Sequence, residues 1–123
     1  MRIKLSANLI FVTDILRAKK WYEDVFGMVT EEFRPPEFLQ MRLGSNVFYI
    51  ETANEKRASG FRDTKVGGRH SAVFEVEEIT EVISNLRGRG VTVVVDPVQQ
   101  FWGGWNAVIA DPDGNEFILD EDR

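Results

Sequence analysis

Apolar residues recur along the first half of the chain with two periodicities, one typical of strands and one typical of helices. Together they predict the order strand, helix, strand, strand, strand. Alternation over Ile3–Val12 indicates a strand. Thr13 or Asp14 can then cap a helix that Gly27 ends. The buried stripe of this helix recurs at spacings of three and four: Ile15, Ala18, Trp21, Tyr22, Val25 and Phe26. A strand over Met28–Phe33 and a hairpin over Phe38–Glu51 complete the predicted unit.

The second half repeats this order. His70–Val76 alternates as a strand, and Glu78–Arg89 has helical spacing, with Glu78 as the predicted capping acid. Gly90 ends this helix as Gly27 ends the first. A strand over Val91–Val95 follows, and Asp96-Pro97 is expected to break it.

A final hairpin is the strongest local signal in the chain. Two apolar-rich runs, Trp105–Ala110 and Glu116–Leu119, flank Asp111-Pro112-Asp113-Gly114-Asn115. Proline sets the first corner of a turn, and Gly114 can adopt the positive φ that closes it. We therefore predict an α+β protein of two βαβββ modules, residues 1–52 and 70–123, that form one domain and are joined by a linker over residues 53–69.

The predicted linker, Ala53–Arg69, is basic in a chain whose net charge is −5. It holds five basic residues against two acidic ones. Such a segment is either a solvated loop or a basic flap that covers an acidic site, and the sequence leaves both interpretations open.

Composition narrows the functional classes. Net negative charge argues against nucleic acid as a partner. No apolar run approaches the roughly 20 residues that span a bilayer, so we expect no membrane partner. The absence of cysteine excludes disulfides and thiolate chemistry, and a cytoplasmic location is the default expectation.

The two units resemble the glyoxalase I / bleomycin resistance protein / extradiol dioxygenase superfamily, also called vicinal oxygen chelate proteins. Three stretches carry the resemblance: Asp14 with Trp21-Tyr22 and Phe26-Gly27, then Phe74–Glu78, then Asp111–Asn115. The resemblance implies that the curled mixed sheets of the two modules pair into a cup with the helices outside. It also implies that a chain this short forms a homodimer.

The resemblance further implies four positions at which the family's enzymes hold a divalent metal. They correspond here to Ala7, Glu51, Ser71 and Ile118. Only Glu51 carries a good donor for such a metal. His70, the single histidine, is one residue away from its expected position and should point to the opposite face of its strand unless a bulge over residues 67–69 realigns it. We therefore expect no metal and no cofactor.

Alternation from these positions predicts an apolar and aromatic cup that also carries carboxylates. The predicted inward face also includes Leu9, Val73, Glu116 and Asp120. The predicted ligand-binding residues are Phe11, Tyr49, Glu51, Glu75, Trp102, Trp105 and Ile118. Aromatic planes beside acids favour a planar or cationic ligand, so we predict metal-independent binding of a small organic molecule, as the bleomycin-resistance branch implies. For both tryptophans, core or dimer packing remains the alternative.

Two other functional classes stay open. The first is a lyase, isomerase or dioxygenase that uses Glu51 and His70 as metal ligands, with Glu116 or Asp120 shifted into place. The second is a regulatory or interaction subunit that keeps only the fold.

Overall fold

A computed structural model describes residues 1–54 and 56–122, and in it the chain divides into two compact units, Met1–Val66 and Gly67–Arg123. Each unit contains one helix and one four-stranded mixed sheet in the order β, α, β, β, β. The predicted α+β class and the two βαβββ modules are confirmed. Neither helix in these described ranges combines the length and the apolarity needed to cross a membrane.

The first unit packs one helix on one face of its sheet. Its elements are β1 (Asn8–Val12), α1 (Ile15–Phe26), β2 (Val29–Arg34), β3 (Phe38–Leu43) and β4 (Asn46–Thr52). The strand order is β1-β4-β3-β2, with β1 parallel to β4 and the other pairs antiparallel. Alternate residues of β1, β3 and β4 are buried with Ile15, Ala18 and Tyr22 of α1. The other face of this sheet is therefore left for side chains that the helix does not cover.

The predicted start and end of α1 are confirmed in atomic detail. Asp14 Oδ1 accepts hydrogen bonds from the backbone N–H groups of Leu16 and Arg17, both at 3.1 Å. Gly27 follows the helix with φ of 70°, a conformation that favours glycine. The first strand, by contrast, is shorter than predicted, since β1 begins at Asn8 and not at Ile3. It pairs only with Phe48–Thr52 of β4, so the preceding residues have no described ladder to join.

The second unit repeats the arrangement. Its elements are β5 (Gly68–Glu75), α2 (Ile79–Gly88), β6 (Thr92–Gln99), β7 (Trp105–Ala110) and β8 (Asn115–Glu121). The strand order is β5-β8-β7-β6, with β5 parallel to β8. Phe117, Leu119, Ala107 and Ile109 are buried together with Ile79 and Ile83 of α2. The register between β5 and β8 shifts between Arg69 and Val73.

The prediction that Glu78 caps α2 is wrong. Glu78 adopts a left-handed conformation, with φ of 53°, and its side chain makes no capping hydrogen bond. The cap comes from β8 instead, where Glu121 Oε1 accepts a hydrogen bond of 2.6 Å from the backbone N–H of Ile79. A carboxylate at a helix N-terminus satisfies free N–H groups wherever it comes from in the sequence.

The predicted break at Asp96-Pro97 is also wrong, because β6 continues through it to Gln99. The register of β6 against β7 shifts between Val93 and Val95 and again between Val95 and Val98. β6 is an edge strand, and an edge strand with bulges accepts proline because the missing N–H removes no ladder bond.

The hairpin between β7 and β8 is confirmed, and its turn is built on two buried polar residues. Asp111 Oδ1 accepts from the backbone N–H groups of Asp113 at 2.9 Å and Asn115 at 2.8 Å. Asp111 Oδ2 accepts from Asn115 Nδ2 at 2.8 Å. Asn115 Oδ1 accepts from Gly67 N at 3.0 Å and lies 2.9 Å from His70 Nε2. The turn is thus fastened to the start of β5.

Candidate functional site

Three of the predicted ligand-binding residues share one face of the sheet in the first unit. Phe11 is paired in register with Glu51, and Tyr49 lies two residues before Glu51 on β4. Phe38 of β3 is also in register with Glu51, and its ring lies 5.6 Å from that of Tyr49. Since Ile10, Val12 and Ile50 point to α1, the aromatic residues and the carboxylate occupy the face away from the helix.

A residue that the sequence did not single out completes this face. Arg57 Nη1 donates to Glu51 Oε1 at 2.7 Å, and the Arg57 guanidinium lies 5.0 Å from the centre of the Phe11 ring. Only 23% of the Arg57 side chain and 17% of the Glu51 side chain are exposed. Glu51 is therefore a paired carboxylate in this structure, and its partner is a planar cation that lies over an aromatic ring.

Arg57 belongs to a segment that we call the strap, residues 56–62. Lys56 Nζ contacts Glu37 Oε1 at 3.0 Å, and Arg62 Nε donates to the backbone carbonyl of Arg57 at 2.7 Å. The strap and the sheet border an open cavity of about 240 Å³, lined by Glu37, Phe38, Glu51, Asn54, Lys56 and Arg57. The excess of basic residues in the predicted linker was the sequence signal for this contact, in the form of the basic-flap hypothesis.

The remaining predicted residues belong to the second unit and do not all share a face. Ile118 is in register with Val73, and Glu75 with Asp120, so Glu75 and Ile118 lie on the same face. Trp105 is paired with Glu121 and therefore lies on the opposite face from Ile118. Trp102 lies in the turn before β7, where 57% of it is exposed and its ring meets that of Phe101 edge to face at 4.9 Å.

Glu75 lies at the margin of an acidic depression of about 590 Å³. The depression is lined by Glu75, Val76, Glu77, Glu78, Thr80, Glu81, Glu121 and Asp122. The negative charge of Glu81, together with its hydrogen bond, raises the pKa of the Glu78 carboxyl above its usual value. Glu116, another acid that was predicted to face inward, pairs with Arg69 at 2.9 Å.

The residues present do not fit the metal that the resemblance implies. Ala7 and Ile118 carry no donor atoms, and Glu51 is bound to Arg57. His70 stacks on Phe117 at 5.0 Å and contacts Asn115, on the opposite face of β5 and β8 from Ile118. In residues 1–54 and 56–122, no three His, Cys, Asp or Glu side chains are grouped so that they could hold a metal ion.

Comparisons with known proteins place these features in a family. A sequence model described as "Glyoxalase/Bleomycin resistance protein/Dioxygenase superfamily" matches residues 4–119. No protein with a curated function matches significantly.

Solved structures show the same fold at low sequence identity. One is a member of the same superfamily from Sphaerobacter thermophilus DSM 20745, with a TM-score of 0.80, 22% identity and coverage of 98% of each chain. Another is lactoylglutathione lyase from Agrobacterium tumefaciens, with a TM-score of 0.79, 19% identity and coverage of 98% of this chain and 94% of that one. A third is TioX from Micromonospora sp. ML1, with a TM-score of 0.76, 16% identity and coverage of 97% and 100%.

Proposed function

The chain belongs to the Glyoxalase/Bleomycin resistance protein/Dioxygenase superfamily, and we propose that it binds, without a metal, a small organic molecule with a flat aromatic ring and a cationic or weakly basic group. Its activity would then be capture rather than turnover, as in the bleomycin-resistance branch of the superfamily. The observation that carries this proposal is the face formed by Phe11, Tyr49 and Glu51, where aromatic rings lie beside a carboxylate that is 17% exposed.

The physical basis is the weak hydration of that carboxylate. A partly buried acid gains more from an approaching cation than an exposed acid does, because less water competes for it and the local dielectric is lower. The ring faces of Phe11 and Tyr49 attract a planar group by stacking and a cation by their negative faces. Both attractions act on the same ligand when its charge is part of, or attached to, a flat ring.

The alternative is a metal-dependent lyase, isomerase or dioxygenase. It requires Glu51 to leave Arg57 and His70 to leave both Phe117 and Asn115. The lyase of similar fold shares only 19% of its residues with this chain, so its similarity supports the fold and not its reaction. Since any ligand of Glu51 must separate it from Arg57, it is the contacts of His70 that favour the binding protein.

Three compounds of one shape and different charge test the proposal: 4-aminobenzamidine, 4-aminobenzamide and 4-aminobenzoate. We expect the cationic amidine to bind most tightly and the anionic benzoate least, as measured by titration calorimetry. The variant Glu51→Gln should reduce the preference for the amidine over the neutral amide by about tenfold, the equivalent of a charge-assisted hydrogen bond of about 1.5 kcal/mol.

The control is Glu23→Gln, which makes the same charge change on α1, where Glu23 pairs with Lys19. It should leave all three affinities within about twofold, because surface ion pairs on the far side of the sheet contribute little to binding on this face. Equal losses for amidine and amide in Glu51→Gln would assign Glu51 a structural role. Tightest binding of the benzoate would overturn the proposal.

A further inference from the structure

In this structure the proposed cation site, Glu51, is already occupied by the side chain of Arg57. We propose that Arg57 is an internal ligand, and that the molecule which replaces it carries a planar guanidinium or amidinium group. This inference rests on the proposed function, since it names the ligand class and the regulation of the same site. The strap then sets the apparent affinity, because a ligand must first displace Arg57.

The geometry of Arg57 defines the group that the site accepts. Its guanidinium donates to Glu51 at 2.7 Å while lying 5.0 Å from the centre of the Phe11 ring. A flat, delocalised cation suits this half-buried site, because it is weakly hydrated and its edge N–H groups reach the carboxylate while its plane can lie over the ring. A compact ammonium group is more strongly hydrated, so it loses more hydration free energy on entering the same site.

The contact is also imperfect, which makes it displaceable. Arg57 Nε is buried and has no hydrogen-bond partner in the described part of the chain. A buried N–H without a partner opposes the closed state, since opening the strap returns it to water. The second anchor is weak as well, because 83% of the Lys56 side chain and 43% of the Glu37 side chain are exposed.

The size of the cavity also indicates that the strap must move before a ligand binds. Its volume of about 240 Å³ is below the roughly 300–1,000 Å³ usual for small-molecule sites. Three of its six lining residues, Asn54, Lys56 and Arg57, follow β4 on the way into the strap or lie within it. Movement of the strap therefore removes the occupant and enlarges the cavity in one step.

Substitutions of Arg57 test the competition directly. In Arg57→Gln, we expect the affinity for 4-aminobenzamidine to rise about five- to thirtyfold, because the apparent dissociation constant is inversely proportional to the fraction of open strap. Arg57→Lys keeps the positive charge but removes the planar guanidinium, so it should give a smaller rise. Lys20→Gln removes a positive charge from the exposed face of α1, outside the cavity and the strap, and should change the affinity less than about twofold.

Ligand geometry gives the second arm of the experiment. In the wild-type protein, 4-aminobenzamidine should bind at least about fivefold more tightly than 4-aminobenzylamine, whose ammonium group is compact and more strongly hydrated. Hydrogen exchange gives the third arm. Saturation with the amidine should speed exchange of the backbone amides of Lys56 and Phe61, which donate to Asn54 Oδ1 and Ala58 O, because the strap then loses the Arg57 contact that anchors it to the sheet.

The outcomes separate this inference from the function on which it rests. A rise in Arg57→Gln that exceeds the rises in Arg57→Lys and Lys20→Gln, together with faster exchange in the strap, supports the internal ligand. Equal rises in Arg57→Gln and Lys20→Gln, with none in Arg57→Lys, would reduce the effect to net charge and overturn the inference. Slower exchange in the strap, or equal binding of amidine and amine, would overturn it while the binding function stands. Absence of amidine binding in both wild type and Arg57→Gln would overturn the proposed function as well.

Discussion

The substitution Asn115→Ala should destabilise the protein more than its small loss of volume implies. Asn115 is fully buried, and its side chain accepts from Gly67 N, contacts His70 Nε2 and donates to Asp111 Oδ2. Since Asn115 Nδ2 donates to a carboxylate, its Oδ1 is the atom that faces the two donors. Alanine removes all three hydrogen bonds at once.

The magnitude follows from the number of bonds. At about 1 kcal/mol for each lost hydrogen bond, the free energy of unfolding should fall by about 3 kcal/mol. For a chain of this size that loss corresponds to a decrease in melting temperature of roughly 10–15 °C. Urea unfolding followed by circular dichroism measures it, with an unchanged slope as the sign that only stability has altered.

Two further variants sharpen this test. Asn46→Ala is the matched control, because Asn46 is exposed and makes one long hydrogen bond of 3.4 Å to Leu43 O; its effect should stay within about 0.5 kcal/mol. Asn115→Asp places a second carboxylate against Asp111, and adding Asp111→Asn to it should recover most of the loss by restoring one donor between the two side chains. A cost below about 1 kcal/mol for Asn115→Ala would refute the conclusion that the hydrogen bonds of Asn115 stabilise the contact between the turn and the start of β5.

Two sets of substitutions and the state of assembly provide further tests. Gly67→Ala should lower the free energy of unfolding, measured by thermal denaturation, by about 1–3 kcal/mol, because Gly67 has φ of 90° and a Cβ there would lie 3.1 Å from the carbonyl oxygen of Asp113. Gly88→Ala, in helix α2 with open space around it, should instead raise the free energy of unfolding by up to about 1 kcal/mol. Glu78→Gln should raise the melting temperature at pH 7, because Glu81 raises the pKa of Glu78 in the folded state and the ionised carboxylate therefore opposes folding above that pKa. The gain should disappear in acid, where both proteins carry a neutral side chain at this position, and a gain that persists there would contradict this cause. We also expect a homodimer at micromolar concentration that buries on the order of 1,500 Å² in total, and light scattering that reports only monomer at high concentration would contradict it.

The sequence predicted those parts of the fold that short-range chemistry decides. Asp14 caps α1 from one position away, and the turn from Asp111 to Asn115 forms from contacts within five residues. The cap of α2 could not be found in this way, because Glu121 reaches Ile79 across 42 positions of sequence. The strand through Pro97 was missed because tolerance of proline depends on β6 being an edge, which is a property of the sheet order.

In the candidate site, too, the sequence predicted only what local strand alternation decides. Strand alternation placed Phe11, Tyr49 and Glu51 on one face, and the structure brings them together. The partner of Glu51 remained hidden, since nothing local to Arg57 indicates where the chain folds back, and only the basic composition of the linker hinted at it. Trp105 was predicted to contact the ligand from the start of the final hairpin, but pairing along β7 and β8 places it on the opposite face from Ile118.

The most direct test of the account is an NMR titration of the labelled protein with 4-aminobenzamidine, with both backbone and aromatic signals followed. We predict saturable shifts concentrated at Phe11, Tyr49 and Glu51 and in the strap, residues 56–62, and no comparable change around Glu75 and Glu78. Shifts confined to the acidic depression of the second unit, or shifts that never saturate, would contradict the claim that the first unit carries the binding site.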